Sequence, residues 1–299
     1  MFNKALLLVN GAGSESFIQK CIELTAGVVA SQVGELTIRR TAFKGEAEEL
    51  CREQGEGYDV LFILGGDGLV HECINGLAPL SSPPVIGILP GGTCNDFSRG
   101  LQIPQSLKKA AVSLLEGGIQ EIDMGQMNER WFSNFFGIGL IAETSENINE
   151  DWKNIIGKMS YFISALQTFQ RPEAFHFKIK MDGTLIEGEA VMILVVNGKY
   201  IGTNLLPFPE ILLDDGLFDV YIVSEGGAAL LKEYLNAKNP FNWDPVAQSD
   251  IQHYQSKHVY LETAKPKKAD TDGEVYVQTP VSLTNIQRKL SFLVPAVFS

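Results

Sequence analysis

Three short apolar runs, each closing on a glycine-rich stretch, constrain this chain more than any other feature. Residues 5–9 lead into Asn10-Gly11-Ala12-Gly13-Ser14, residues 60–64 into Gly65-Gly66-Asp67-Gly68, and residues 85–89 into Pro90-Gly91-Gly92-Thr93. A strand that is apolar on both faces is buried on both faces, as in a parallel sheet covered by helices. The intervening segments fit that picture: helical spacing over 16–30, 45–53, 69–77 and 107–115, and a further strand over 36–41. Short strands alternating with helices imply an open parallel α/β sheet with right-handed crossovers. Ligands of such sheets sit at the carboxyl ends of the strands, where these glycine stretches fall.

The texture changes after Gly117-Gly118. Strand-like segments then follow one another over 122–126, 131–141, 175–181, 188–197, 218–223, 259–263 and 275–277, with helices over 159–169 and 227–235 and a loop over 236–250. Asp182-Gly183 and Asp215-Gly216 are turn signals between strands. This half is expected to be antiparallel β, a sandwich or a barrel, so the fold class is α/β followed by β.

Composition removes several function classes. The formal charge is −12, from 24 Lys+Arg against 36 Asp+Glu. No nucleic-acid partner is expected, since neutralising a phosphate backbone needs a basic surface. The four cysteines lie far apart with no Cys-x-x-Cys pair, so reduced buried thiols fit better than a zinc site or a disulfide scaffold. No apolar stretch approaches the ~18 residues of a membrane span. A cytoplasmic protein is the expectation.

Gly65-Gly66-Asp67-Gly68 falls between a strand and a helix, where backbone N–H groups can cradle phosphate oxygens. Asp67 is placed to hold a divalent ion; its bland role is to cap the helix. Pro90-Gly91-Gly92-Thr93-Cys94-Asn95-Asp96-Phe97 follows the next strand. Thr93 offers a hydroxyl, and Asn95 and Asp96 an amide and a carboxylate; the bland alternative is again helix capping. Two such loops on neighbouring strand ends point to one phosphate-binding crevice.

These residues resemble the diacylglycerol kinase catalytic family of soluble bacterial lipid kinases, sphingosine kinases and ceramide kinases. The shorter loop is shared with NAD kinases and phosphofructokinases; Pro-Gly-Gly-Thr-x-Asn-Asp is specific to the lipid kinases. The resemblance extends to Ile122-Asp123-Met124-Gly125, Asn134, Leu213-Asp214-Asp215-Gly216-Leu217 and Asp272-Gly273-Glu274. It implies a nucleotide-binding domain over 1–120, rejoined by 285–299, and a β-sandwich acceptor domain over 121–284. ATP contacts would fall on Asn10, Gly11, Ala12, Gly13, Ser14, Thr41, Gly65, Gly66, Asp67, Gly68, Leu69, Val70, His71, Gly91, Gly92 and Thr93. Asp67, Asp96 and Asp123 would build a water-bridged Mg²⁺ network, and Asp215 with the carbonyls of Leu212 and Leu217 a second metal site.

The general base is implied within Asp272-Gly273-Glu274. On a strand, two acids flanking one residue share a face, so either serves, with Asp272 preferred; the bland alternative is a hairpin turn with solvated acids. Two positions depart from the family: Leu69 replaces a threonine and His71 an asparagine, which implies weaker nucleotide binding. Residues 200–204 also lack the family's glycine triplet. His71 is read as incidental, His176, His253 and His258 as structural or solvated, and the three lysines within Lys265 to Lys268 as a solvated loop. The expected activity is phosphoryl transfer from ATP to a lipid hydroxyl at a membrane surface, diacylglycerol first, with a homodimer left open. The rivals are an NAD-kinase-like enzyme with a soluble acceptor and a catalytically silent nucleotide- or lipid-binding regulator.

Overall fold

The computed structural model describes residues 2–142, 172–206, 208, 211–236 and 250–298. The helix expected over 159–169 and nearly all of the loop over 236–250 lie outside them. The chain divides into two compact units, Met1–Ile122 with Arg288–Ser299, and Asp123–Gln287.

The first unit is built on β1 (Phe2–Val9), β2 (Val33–Arg40), β3 (Val60–Gly65) and β4 (Val85–Pro90), in the parallel order β2-β1-β3-β4. Leu6, Leu7, Leu8, Leu61, Phe62 and Ile63 are at most 1% exposed, as strands covered on both faces require. Each such side chain contributes about 1.5–3 kcal/mol by leaving water. Helices α1 (Glu15–Ala30), α2 (Glu46–Gln54), α3 (Asp67–Leu77), α4 (Asp96–Gly100) and α5 (Leu107–Glu116) alternate with the strands. In α1 the buried residues Ile18, Cys21, Thr25 and Val29 recur at helical spacing, and the Ser14 hydroxyl caps the helix by accepting from the Phe17 N–H at 3.3 Å.

The second unit is an antiparallel sandwich. Its strands are β6 (Arg130–Phe132), β7 (Phe135–Gly139), β8 (Phe175–Met181), β9 (Thr184–Ala190), β10 (Met192–Val196), β11 (Tyr200–Ile201), β12 (Asn204–Leu205), β13 (Phe218–Val223), β14 (Ile251–Ser256), β15 (His258–Thr263), β16 (Lys268–Thr271) and β17 (Glu274–Gln278). β5 (Gly118–Met127) leads into the unit, and β18 (Val281–Val294) gives it residues 281–287 before passing to the first unit, where Phe292 pairs with Ile86. One sheet runs β14-β13-β10-β7-β16-β17; β15, β8 and β9 form another antiparallel set with the start of β18. The core lies between them, and β8 shows why. Phe175, Phe177, Ile179 and Met181 are buried while the residues between them are exposed. Phe132 stacks on Phe218 in that core at 5.5 Å. Helix α6 (Glu225–Asn236) follows β13.

Several expected elements are corrected. The single strand over 131–141 breaks at Ser133-Asn134, whose N–H groups turn to a carboxylate, and becomes helical from Leu140 after Gly139 at φ 77°. The strand over 188–197 is two, β9 and β10, meeting at Val191. The lysine-bearing loop ends earlier than expected, because Lys268 already pairs with Gln278 in β16. All four cysteines are free and buried.

Candidate active site

In the first unit the glycine loops are held by packing against one another's backbone. A Cβ on Gly92 would lie 2.4 Å from the Gly66 Cα, and one on Gly91 3.3 Å from the Gly65 Cα. The Gly91 N–H donates to the Gly65 carbonyl at 2.8 Å, and the Phe97 N–H to the Asp67 Oδ1 at 3.4 Å. Asn95 closes its own loop: its Oδ1 accepts from the Gly92 N–H at 2.9 Å and its Nδ2 donates to the Gly92 carbonyl at 3.0 Å. Its left-handed backbone, φ 53°, is one that asparagine tolerates. The Asn95 amide is therefore committed to loop shape, and Asp96 beside it is 3% exposed. Thr93 is exposed.

The loop after β1 is set the same way. The Asn10 Oδ1 accepts from the Ala12 N–H at 3.0 Å, and the Gly11 N–H donates to the Thr41 hydroxyl at 3.1 Å. A Cβ on Gly11 would sit 1.8 Å from the Thr41 carbonyl oxygen, so only glycine fits. A cavity of about 140 Å³ opens there, lined by Asn10, Ala12, Gly13, Phe17, Gly65 and Gly91 among others. Gly66 caps α3 without a side-chain hydrogen bond, and a Cβ on Gly68 would meet only open space. Bare N–H groups at a helix start with open space before them suit an anion such as a nucleotide phosphate.

The side chains of Leu69, Val70 and His71 point elsewhere. They are 6%, 3% and 3% exposed, and the N–H groups of Leu69 and Val70 already donate to the Gly66 carbonyl. His71 Nε2 lies 3.2 Å from the Asn75 amide, a contact inside α3. As nucleotide contacts these three have little beyond shape to offer.

The second unit carries the remaining acids. Asp123 is fully buried; its Oδ2 accepts from the Gly216 N–H at 2.6 Å, and its own N–H donates to the Leu213 carbonyl at 2.8 Å. Asp215 turns back on its own loop, its Oδ1 accepting from the Leu217 N–H at 3.0 Å. Burial pushes the Asp215 carboxyl up from its ordinary value, and the charges of Asp219 and Asp214 add to that; the Leu217 N–H works against it. A carboxylate held up by neighbouring carboxylates gains from a cation. The Leu217 carbonyl accepts from the Asn285 Nδ2 at 3.0 Å, and the Leu212 side chain is exposed.

Asp272 and Glu274 do not share one strand. Asp272 and Gly273 form the two-residue turn between β16 and β17, both at positive φ (53° and 89°), and Glu274 begins β17 opposite Thr271. Nor is Asp272 solvated. Its Oδ2 accepts from the Ser133 N–H at 2.7 Å and the Ser133 hydroxyl at 3.1 Å, and its Oδ1 from the Asn134 and Phe135 N–H groups at 2.9 and 3.0 Å. Four donors on two buried oxygens make Asp272 an anchor for the chain break at residues 133–134. Glu274 is half-buried.

Two known domains match this chain: the diacylglycerol kinase catalytic domain over residues 4–127, and the YegS C-terminal NAD kinase beta sandwich-like domain over 136–294. The chain belongs to the diacylglycerol kinase catalytic family. A Staphylococcus carnosus protein provisionally named a lipid kinase is 30% identical over 98% of this chain and 97% of its own length. A similarly named Staphylococcus aureus protein is 32% identical over 94% and 93%. Two Bacillus anthracis crystal structures are similar, each 35% identical. One, provisionally titled a diacylglycerol kinase, has TM-score 0.91 and coverage of 100% and 97%; the other, titled a diacylglycerol kinase, has 0.87 and 98% and 97%. The chain is thus a lipid kinase, a phosphotransferase of a family that uses ATP.

The carboxylate and carbonyl oxygens of these loops suit Mg²⁺, a hard cation that keeps much of its water and takes few carboxylates directly. Among the described residues no three of His, Cys, Asp and Glu are gathered as a ligand cluster. Sequence reasoning missed Ser133, Asn197 and Asn285, which organise the second unit's acids. Asn197-Gly198 at the end of an apolar run was a usable signal; Asn285, one polar residue in a long strand, offered none. His253 is structural, as expected. It stacks on Tyr221 and meets the Asp219 Oδ1 at 2.6 Å.

Proposed function

We propose that the chain transfers the γ-phosphoryl group of ATP to a lipid hydroxyl, diacylglycerol first, with Glu274 as the general base. The observation that carries the choice of base is the saturation of Asp272. A base must have a lone pair free for the hydroxyl proton, and both Asp272 oxygens are engaged by donors. Glu274, two residues on and half-buried, is the other acid of that turn. The loops at Gly11, Gly66 and Gly92 would bind the nucleotide through backbone N–H groups, with the Thr93 hydroxyl as an added donor. The hydroxyl oxygen forms the new bond to the γ-phosphorus as its proton passes to Glu274, and the bond to the β-phosphate oxygen breaks, giving a phosphorylated lipid and ADP.

Mg²⁺ would neutralise charge developing on the phosphates, with Asp67 and Asp96 the first unit's carboxylates suited to its water shell and the Asp215 loop suited to a separate ion. Asp215, raised by burial and by the charges of Asp219 and Asp214, is suited to this. Among the described residues no helix is long and apolar enough to cross a membrane. Peripheral contact with a lipid surface would then rest on exposed apolar side chains such as Leu205 and Leu212, because a net charge of −12 repels anionic lipid.

The test is transfer of label from γ-³²P-ATP to diacylglycerol, sphingosine, ceramide, phosphatidylglycerol and undecaprenol in mixed micelles, with NAD alongside and Glu274→Gln as control. Labelled phosphatidic acid that disappears in Glu274→Gln supports the proposal. Label confined to NADP, or a Glu274→Gln protein as active as the parent, would overturn it. ATP bound without any labelled product points to the regulator reading. Its one structural support is Leu69, whose buried side chain packs against Gly65 where a hydroxyl would otherwise stand.

A further inference from the structure

We propose that Asn197 is a positioning residue that ties Asp123 with the Asp215 loop, and the Asp272–Glu274 turn, into one frame, so that cation affinity and the placing of the base are set together. The proposal rests on the kinase mechanism above for what the two arms do.

Asn197 is 1% exposed, just past the end of β10. Its Nδ2 donates to the carbonyls of Asp123 and Ser133, both at 2.9 Å, and its Oδ1 accepts from the Asn285 Nδ2 at 3.1 Å. Its own N–H donates to the Asn134 carbonyl at 2.8 Å. Both amide donors and an acceptor lone pair are therefore in use, each on a different segment. Along one arm, Asp123 holds Gly216, and Asn285 holds the Leu217 carbonyl, so both sides of the Asp215 loop lead back to Asn197. Along the other, Ser133 grips the Asp272 carboxylate through its N–H and its hydroxyl.

Only an amide of this size serves. An aspartate lacks the two donors, and a leucine would leave two buried carbonyls bare. Gly198 completes the fit, because a Cβ there would lie 2.3 Å from the Asn134 Oδ1. The network does not close on itself. The Asn134 and Asn285 Oδ1 atoms are buried and have no hydrogen-bond partner among the described residues. Buried acceptors left over in this way are open to a bound water or a guest.

The test uses the full chain and two readouts: the Mn²⁺ dissociation constant by EPR on the protein without lipid, and kcat and KM on the labelled lipid. Loss of one or two buried hydrogen bonds per arm corresponds to roughly tenfold in each quantity. Asn197→Ala is expected to weaken Mn²⁺ about tenfold and lower kcat about tenfold, with the lipid KM unchanged. Asn285→Ala should reproduce the cation effect alone, and Ser133→Ala the kcat effect alone. The Asn197→Ala, Asn285→Ala double variant should bind Mn²⁺ no more weakly than Asn197→Ala.

A lower melting temperature with unchanged Mn²⁺ affinity and kcat, or additive losses in the double variant, would overturn the proposal. Should Asn197→Ala fail to fold, Asn197→Ser keeps one donor and must show both changes at smaller size; if it shows neither, the proposal is wrong. Wild-type protein that labels no lipid, yet shows the Mn²⁺ pattern, refutes the kinase mechanism and supports the cation arm. An active wild type with an indifferent Asn197→Ala does the reverse.

Discussion

Replacing Asp272 with asparagine separates an anchor from a base, because the two roles predict opposite results. The substitution keeps the size of the side chain but turns one accepting oxygen into an NH₂ group. If that group takes the Oδ2 position, the contacts from the Ser133 N–H and hydroxyl are lost and a donor faces a donor; the two bonds to Asn134 and Phe135 persist. Hydrogen bonds to a charged acceptor are worth about 1.5–3 kcal/mol each, so losing two costs about 3–6 kcal/mol. The cost falls on the second unit, where the turn joins β16 to β17 and the break between β6 and β7 docks. Urea unfolding should show a midpoint shift of that size with little change in slope. Native-state hydrogen exchange should show the amides of Ser133, Asn134 and Phe135 losing protection first. Glu274→Gln, by contrast, should leave the urea midpoint within about 0.5 kcal/mol of the parent while removing activity. An Asp272→Asn protein of undiminished stability and without activity would refute the anchor role and return the base to Asp272.

Other outcomes follow from the same geometry. Gly92→Ala places a methyl 2.4 Å from the Gly66 Cα, so the loops must separate; calorimetric titration should show ATP affinity falling at least about tenfold with modest loss of stability. Asp215→Asn should stabilise the metal-free protein at neutral pH and abolish its Mg²⁺-dependent rise in melting temperature. A carboxyl raised by folding carries its penalty in full above the folded pKa and none below the unfolded one, so the stabilisation should vanish in acid. Asp182 has the opposite sign. Burial raises its carboxyl, but the Lys257 N–H, the Ser256 hydroxyl and the His258 N–H outweigh that and leave it below its ordinary value. Its stabilisation is present above the unfolded value near ~3.9 and is lost as pH falls through the folded one, so Asp182→Asn should narrow the gap between melts at pH 7 and pH 3.

Much of this protein is legible in its residues. The runs at 5–9, 60–64 and 85–89 are buried parallel strands, because a segment with no polar face has no face to give to water. The glycines at 65, 66, 91 and 92 mark the loops, though their reason is mutual backbone contact as much as room for a ligand. β14 was not legible: Ile-Gln-His-Tyr-Gln-Ser has no clean alternation, and it pairs as a strand because β13 offers an open edge. The break at Ser133-Asn134 was also hidden, since its cause is a carboxylate 139 residues further along the chain.

The sequence alone determined the order of layers, the family and the positions of the acidic and glycine motifs, because apolar period and backbone steric demand are local properties. Only the tertiary structure decided what surrounds each acid. Asp272 and Glu274 are alike in sequence, separated by one glycine. One is buried under four donors brought by a distant turn and the other is half-buried at the start of a strand, and a carboxylate's chemistry is set by what surrounds it.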